Sequence, residues 1–260
     1  ALWSPLHTRV LLSYYDGSLV RSFLMGTSGS STVATLPSGV TSVSWSPAGS
    51  RIVYTTVANG ETTVSTADSS GKNQKTVFRT PIKDGAVSWP KEELFSLETA
   101  PSAVAPGYVF TYASGLLKRF LGPANGLMTL WSPTGTRILA VTSGIDGVIS
   151  SVIYDSAGKE LMRPDIQTLP QKSAWVGEAK LYCAVPRGIP TGAIFPDDYL
   201  TGELATSDRI VRVDVGKKTV SGIFNEGGYD MAELAATKDG TYIFFLDRIT
   251  GRVWGIEVGE

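Results

Sequence analysis

Short runs of alternating apolar and polar residues, cut by Gly, Pro, Asn and Ser, fill this chain from end to end. The clearest stretch begins at Thr41-Ser42-Val43-Ser44-Trp45, which alternates with period two, turns at Ser46-Pro47-Ala48-Gly49, and resumes as the β-branched and aromatic run Arg51-Ile52-Val53-Tyr54-Thr55-Thr56. Asn59-Gly60 is a hairpin signal, Thr62–Thr66 a third strand, Ser69-Ser70-Gly71-Lys72 a further turn and Lys75–Arg79 a fourth strand. The layout returns as Arg137–Val141 followed by Val148–Tyr154, and as Tyr242–Phe245 followed by Arg252–Ile256. Helical periodicity is nowhere convincing. The pattern predicts four short antiparallel strands per unit, repeated along the chain.

The phrase Trp-Ser-Pro sets the period. It is intact at Trp3-Ser4-Pro5, Trp45-Ser46-Pro47 and Trp131-Ser132-Pro133, and degenerate at Trp89-Pro90, Trp175-Val176-Gly177 and Ala236-Thr237-Lys238-Asp239-Gly240. Successive tryptophans lie 42, 44, 42 and 44 residues apart, a spacing that in an all-strand chain means propeller blades. Proline presets φ at the second turn position and glycine tolerates positive φ, while the tryptophan is a large plate for packing between blades. Trp45-Ser46-Pro47-Ala48-Gly49-Ser50-Arg51-Ile52-Val53-Tyr54 and Trp131-Ser132-Pro133-Thr134-Gly135-Thr136-Arg137-Ile138-Leu139 resemble the TolB-type, WD40-like propeller repeat. The likeness spans essentially the whole chain and implies an all-β, six-bladed propeller, which agrees with six repeats. It is specific for fold and not for function, because such repeats occur in periplasmic interaction proteins and in propeller domains attached to hydrolases; an extracytoplasmic bacterial setting, periplasmic or cell surface, is expected. A single domain over 1–260 is expected, with blades near 1–37, 38–82, 83–123, 124–169, 170–225 and 226–260. The terminal blades read as incomplete: the first lacks most of its inner strand and the sixth stops before a fourth. An upstream segment, removed here, is the expected closing strand.

Composition narrows the function. With 23 Lys plus Arg against 24 Asp plus Glu, no long-range field draws in nucleic acid or an anionic membrane, and no apolar run approaches the length of a membrane helix. Neither nucleic acid nor a membrane span is expected, and nothing calls for more than a monomer. The one histidine, His7, falls where other repeats place the turn glycines Gly49 and Gly135, so it reads as a turn residue and not as a general base. The one cysteine, Cys183, lies in the apolar strand Leu181–Val185 and reads as a small hydrophobe without a histidine to activate it. No phosphate-binding glycine loop is present, so no nucleotide cofactor is implied; no catalytic residue is assigned.

One repeat breaks the rhythm. From Trp175 to the aligned Ala236 is 61 residues, about 18 more than the mean interval, and the excess lies at about 186–207 in blade five. Pro186-Arg187-Gly188-Ile189-Pro190-Thr191-Gly192-Ala193-Ile194-Phe195-Pro196-Asp197-Asp198-Tyr199-Leu200-Thr201-Gly202-Glu203 mixes prolines, apolar anchors and acids, as an ordered loop does. Joining strands two and three, it opens on the same face as the inter-blade connections Lys83-Asp84-Gly85, Pro123–Gly126, Pro170-Gln171-Lys172 and Asn225–Asp230. Candidate binding residues are therefore Phe195, Asp197, Asp198, Tyr199, Glu203, Asn225, Glu226, Tyr229 and Asp230, with Phe195, Tyr199, Phe224 and Tyr229 read as exposed aromatics that either anchor a partner or pin their own loops. Asp197, Asp198, Glu203 and Asp208 are also oxygen donors of the kind calcium takes, but adjacent acids do not alternate as a calcium loop does, and no metal is assigned. Asp16-Gly17 and Asp146 read as hairpin residues. The leading expectation is a non-catalytic protein- or peptide-binding propeller using the insertion face, in which deleting residues 187–205 abolishes capture and barely alters thermal unfolding. The alternatives are a propeller enzyme acting on glycans or esters through Asp197, Asp198 or Glu203, and one domain of a larger surface protein.

Overall fold

Six small antiparallel sheets follow one another in chain order, as the repeats require. Blade one holds β1 (Leu2–Trp3), β2 (Arg9–Tyr15), β3 (Val20–Gly26) and β4 (Val33–Thr35); blade two holds β5 (Val40–Trp45), β6 (Arg51–Ala58), β7 (Glu61–Asp68) and β8 (Lys75–Thr80). Blade three holds β9 (Ala86–Lys91), β10 (Leu94–Glu98), β11 (Pro106–Ala113) and β12 (Leu116–Asn125); blade four holds β13 (Met128–Trp131), β14 (Arg137–Ser143), β15 (Ile149–Asp155) and β16 (Glu160–Met162). Blade five holds β17 (Ser173–Val176), β18 (Lys180–Pro186), β19 (Asp208–Asp214) and β20 (Thr219–Phe224), and blade six β21 (Met231–Ala236), β22 (Tyr242–Asp247) and β23 (Arg252–Glu257). The protein is a six-bladed β-propeller. This computed structural model describes residues 1–17, 20–28, 33–83, 85–144 and 147–259; the connection residue Asp84 and the hairpin residue Asp146 lie outside them.

Among the described residues the terminal blades are short, as expected: β1 has two residues and blade six has three strands. Two brief helical turns depart from the all-strand reading, a 3-10 turn at Pro170–Lys172 and α1 (Asp197–Thr201). Five residues are too few to show a helical period.

The structure gives Trp-Ser-Pro a mechanism. Ser46 N donates to Arg51 O at 2.9 Å while Ser46 Oγ accepts from Arg51 N at 3.1 Å, and Gly49 N closes the turn on Ser46 O at 2.8 Å. Ser4 with Arg9 and Ser132 with Arg137 repeat the arrangement, and in blade six Thr237 replaces the serine, its Oγ1 accepting from Tyr242 N at 3.0 Å. The fourth turn position needs positive φ: Gly49 has +67°, Gly135 +65° and Gly240 +76°, and His7 adopts +54° in the same place. His7 is thus a turn residue.

Two compact units divide the chain, residues 1–100 with 109–120, and residues 101–108 with 121–260. In the first, Leu11, Leu24 and Leu36 of blade one pack on Trp45, Ile52 and Tyr54 of blade two, and the opposite face of blade two, Val53 and Val64, packs on Val87, Trp89 and Leu97. Consecutive Ile52, Val53 and Tyr54 are buried because the sheet is covered on both faces. Trp45 donates its indole N–H to Leu2 O at 3.1 Å, but Trp3 stays 54% exposed and meets the His7 ring edge-on, so it is not the interblade plate expected of it; within its unit no blade precedes it. In the second unit, Leu181, Cys183 and Val185 of β18 face blade four, and Tyr182 and Ala184 face blade six. Cys183 is fully buried, and burial pushes its thiol up to about 12, which suits a packing residue.

Ser46 is wholly buried, so Ser46→Ala strands the Arg51 N–H contact and is expected to lower unfolding free energy by about 1–2 kcal/mol in urea melts. Ser132→Ala is expected to cost more, since Ser132 Oγ also bonds the Glu178 carboxylate, which burial would raise but which bonds from Ser132 and Thr136 hold below its usual range.

Candidate functional site

The blade-five insertion, residues 187–207, leaves β18 and returns to β19 through a ladder that continues past the sheet, with Arg187 N donating to Ser207 O at 2.9 Å. It then folds on itself. Ala193 N bonds Pro190 O at 3.1 Å, Asp198 Oδ2 accepts from Ile194 N at 2.8 Å, and Leu204 N bonds Asp198 O at 2.9 Å. The two acids at the start of α1 also oppose the partial positive charge of the first helical turn. Asp197 ties the insertion to residues 101–104, accepting from Ala103 N at 2.9 Å and Ser102 Oγ at 3.2 Å. Ser143 Oγ donates to Phe195 O at 2.9 Å. Gly126 is required beneath it: at φ +59° it bonds Ser102 O, and a Cβ there would come within 2.7 Å of Ser143 Cβ and 3.1 Å of Pro196 Cδ.

Two aromatics drive the insertion into the core. Phe195 is 0% exposed among Leu139, Ile166 and Val211, and Tyr199 is 2% exposed. These are corrections: the sequence reading made both surface aromatics, whereas the apolar anchors of a short insertion have a propeller core to fill. They pin their own loop. Asp230 is likewise buried, and Tyr229, half-buried, packs against Phe224, Phe245 and Trp254 with ring centroids 5.3–6.2 Å apart. Deleting 187–205 would therefore remove core side chains, at about 3–5 kcal/mol for the phenylalanine alone, and the expectation of unchanged unfolding is withdrawn. Asp197 and Asp198 face separate N–H and O–H donors. Glu203, Asn225 and Glu226 are exposed.

At the base of the insertion lies a buried charge centre. Lys172, at the end of the 3-10 turn and 0% exposed, donates to Asp208 Oδ2 at 2.6 Å, Asp230 Oδ1 at 2.7 Å, Thr206 Oγ1 at 2.9 Å and Met231 O at 3.1 Å. Tyr199 OH and Thr206 Oγ1 donate to the same Asp230 oxygen at 2.9 and 3.0 Å, and Met231 N bonds Asp208 Oδ2 at 2.8 Å. The Tyr199 ring meets two cations, Lys172 Nζ 4.5 Å from its centroid and the Arg248 guanidinium 4.1 Å, while Arg248 Nη1 reaches Tyr199 O at 3.2 Å and lies 3.7 Å from Asp230 Oδ2. Burial alone would strip the Lys172 proton, but the neighbouring carboxylates outweigh it and hold the ammonium above its ordinary value. Burial pushes the Asp208 carboxyl up. It acts the same way on Asp230, where bonds from Lys172, Tyr199 and Thr206 prevail and hold the group down.

Sequence reasoning places Lys172 in an inter-blade connection without a role and does not reach Thr206 or Arg248. The carboxylate partners of Lys172 are 36 and 58 residues away along the chain. The only local signal is a lysine and two aspartates next to strand ends that are otherwise apolar.

The fold class is thus a propeller with one blade carrying a locked insertion. No family model and no curated protein matches the sequence. Among solved structures it is similar to TolB from Acinetobacter baumannii, with 16% identity over 90% of this chain and 55% of that one and a TM-score of 0.59. It is also similar to the acylaminoacyl peptidase of Pyrococcus horikoshii (13% identity, 94% of this chain, 40% of that one, TM-score 0.64) and to the β-propeller domain of the trilobed protease from Pyrococcus furiosus (14%, 97%, 84%, 0.57). At such identities the likeness establishes the fold. The chain spans about half the length of TolB and less than half of the peptidase.

Replacing Lys172 tests the charge centre. Lys172→Met leaves Asp208 and Asp230 buried without a counter-charge and is expected to cost about 3–5 kcal/mol at pH 7.5. In the variant both carboxyls rise above their unfolded value, so the folded state binds more protons than the unfolded one and stability recovers as pH falls toward 5. Urea melts at pH 7.5 and 5 check this; a loss independent of pH would contradict it.

Proposed function

We propose that this propeller is a protein- or peptide-binding scaffold whose contact surface is the blade-five insertion with the adjoining connection at 225–230. The observation that carries the reading is the pairing of a locked base with an apolar outer surface. Ile194 and Leu200 flank the buried Phe195 and Tyr199 but point outward, 49% and 43% exposed, on a loop held by the Lys172 centre, by Asp197 and by Asp198. Large apolar side chains on a preorganised loop lose little entropy on contact and supply the anchor of an interface, with Glu203, Asn225 and Glu226 as its polar rim. The extracytoplasmic setting and the monomeric state remain part of this proposal.

A second reading, that the propeller is one module of a longer protein, is supported by the share of TolB and of the peptidase that it spans. Sequencing the gene on both sides of these residues decides it.

The binding reading is tested without touching the core. Ile194→Ser with Leu200→Ser is expected to leave the melting temperature within about 2 °C of wild type, since neither side chain is buried. The immobilised wild-type protein is expected to retain a polypeptide from extracts of its source cells that the double variant releases; equal retention by both would overturn the reading.

A further inference from the structure

Beside the insertion, where it leaves blade five, lies a hollow of about 210 Å³. Its walls come from the blade four to five connection (Asp165, Ile166), the first residues of the insertion (Arg187, Ile189) and the start of β19 (Arg209). The two guanidiniums are placed differently. Arg187 is anchored, its Nη2 donating to Asn225 O and its backbone N to Ser207 O. Arg209, exposed on β19 opposite Val185, has no side-chain hydrogen bond or ion pair among the described residues, nor has Asp165, which also lines the hollow.

We infer that this hollow is a carboxylate-binding subsite that takes one acidic group of an extended peptide, through Arg187 and Arg209. The inference deepens the peptide-binding reading above and rests on it. Charge selects the ligand. The charged residues that line the hollow, Arg187, Arg209 and Asp165, carry a single net positive charge, which one carboxylate neutralises, whereas a phosphate dianion would leave excess negative charge. Geometry agrees, because the planar fork of arginine presents paired N–H donors at the spacing of carboxylate oxygens. Asp165 has oxygens free to accept a peptide N–H beside that carboxylate, and Ile166 and Ile189 give an apolar wall for the stem or the neighbouring side chain. Arg187, already oriented by Asn225, loses less freedom on binding than an unanchored arginine, and Arg209 brings a charge that has no ion-pair partner among the described residues.

The carboxylate has two sources, an Asp or Glu side chain or a chain terminus. Four blocked tripeptides separate them: acetyl-Ala-Ile-Glu-amide, its Gln counterpart, acetyl-Ala-Ile-Ala with a free carboxylate, and the same peptide as the amide. Each is titrated into the whole protein while the arginine Nε–H signals are followed by NMR, with inorganic phosphate and acetate as competitors. One or both acidic probes are expected to shift the Arg209 signal to saturation and both neutral probes to leave it in place, and the acidic probe that binds identifies the source. Arg209→Gln is expected to weaken binding about tenfold to a hundredfold at unchanged melting temperature. Neutral probes binding as well as acidic ones, equal binding by Arg209→Gln, no shift by any probe, or displacement by phosphate at lower concentration than by acetate would each overturn the inference. If it fails while Ile194 and Leu200 still govern capture, only the subsite is lost and the binding face stands.

Discussion

Everything distinctive about this propeller depends on one ammonium group sealed from water. Lys172 sits where the chain crosses from blade four to blade five, Asp208 opens the third strand of blade five, and Asp230 immediately precedes blade six. Buried ion pairs of this kind add little net stability over an apolar packing of the same shape, because desolvation offsets the attraction. What they contribute is intolerance of error. Any arrangement that leaves the insertion out of place withdraws the Tyr199 hydroxyl and the Thr206 hydroxyl from Asp230 and leaves a charge without its partners.

That constraint separates support from surface. Of nine residues singled out in the sequence, Phe195, Tyr199 and Asp230 are interior, Asp197 and Asp198 are engaged in holding the loop, Tyr229 is wedged among aromatics, and Glu203, Asn225 and Glu226 face solvent. The insertion is a built platform, and its outward face is a different set of side chains from the ones that first drew attention.

The architecture was legible because it is written in local, repeated chemistry. A serine, a proline and a residue in positive φ at fixed offsets make the same turn in blades one, two and four, and the degenerate copy at Thr237 in blade six keeps the hydroxyl that matters. The length and position of the insertion were legible for the same reason, as a break in a period. What the insertion does internally was not, since composition cannot distinguish an aromatic that anchors a loop from one that awaits a partner, and Phe195 and Tyr199 are anchors. Nor could it reveal the partners of Lys172, which lie 36 and 58 residues away, or that Arg187, Arg209 and Asp165 line one hollow.

The separation of Lys172, Asp208 and Asp230 along the chain also has a temporal meaning. A blade can form from neighbours in sequence, but the lysine can surrender its water only when the strand bearing Asp208 and the segment bearing Asp230 have both arrived. The charge centre is therefore complete only once both are in place. A second unit lacking either one leaves Lys172 hydrated and withdraws the bonds by which Thr206 and Tyr199 dock the insertion on the centre.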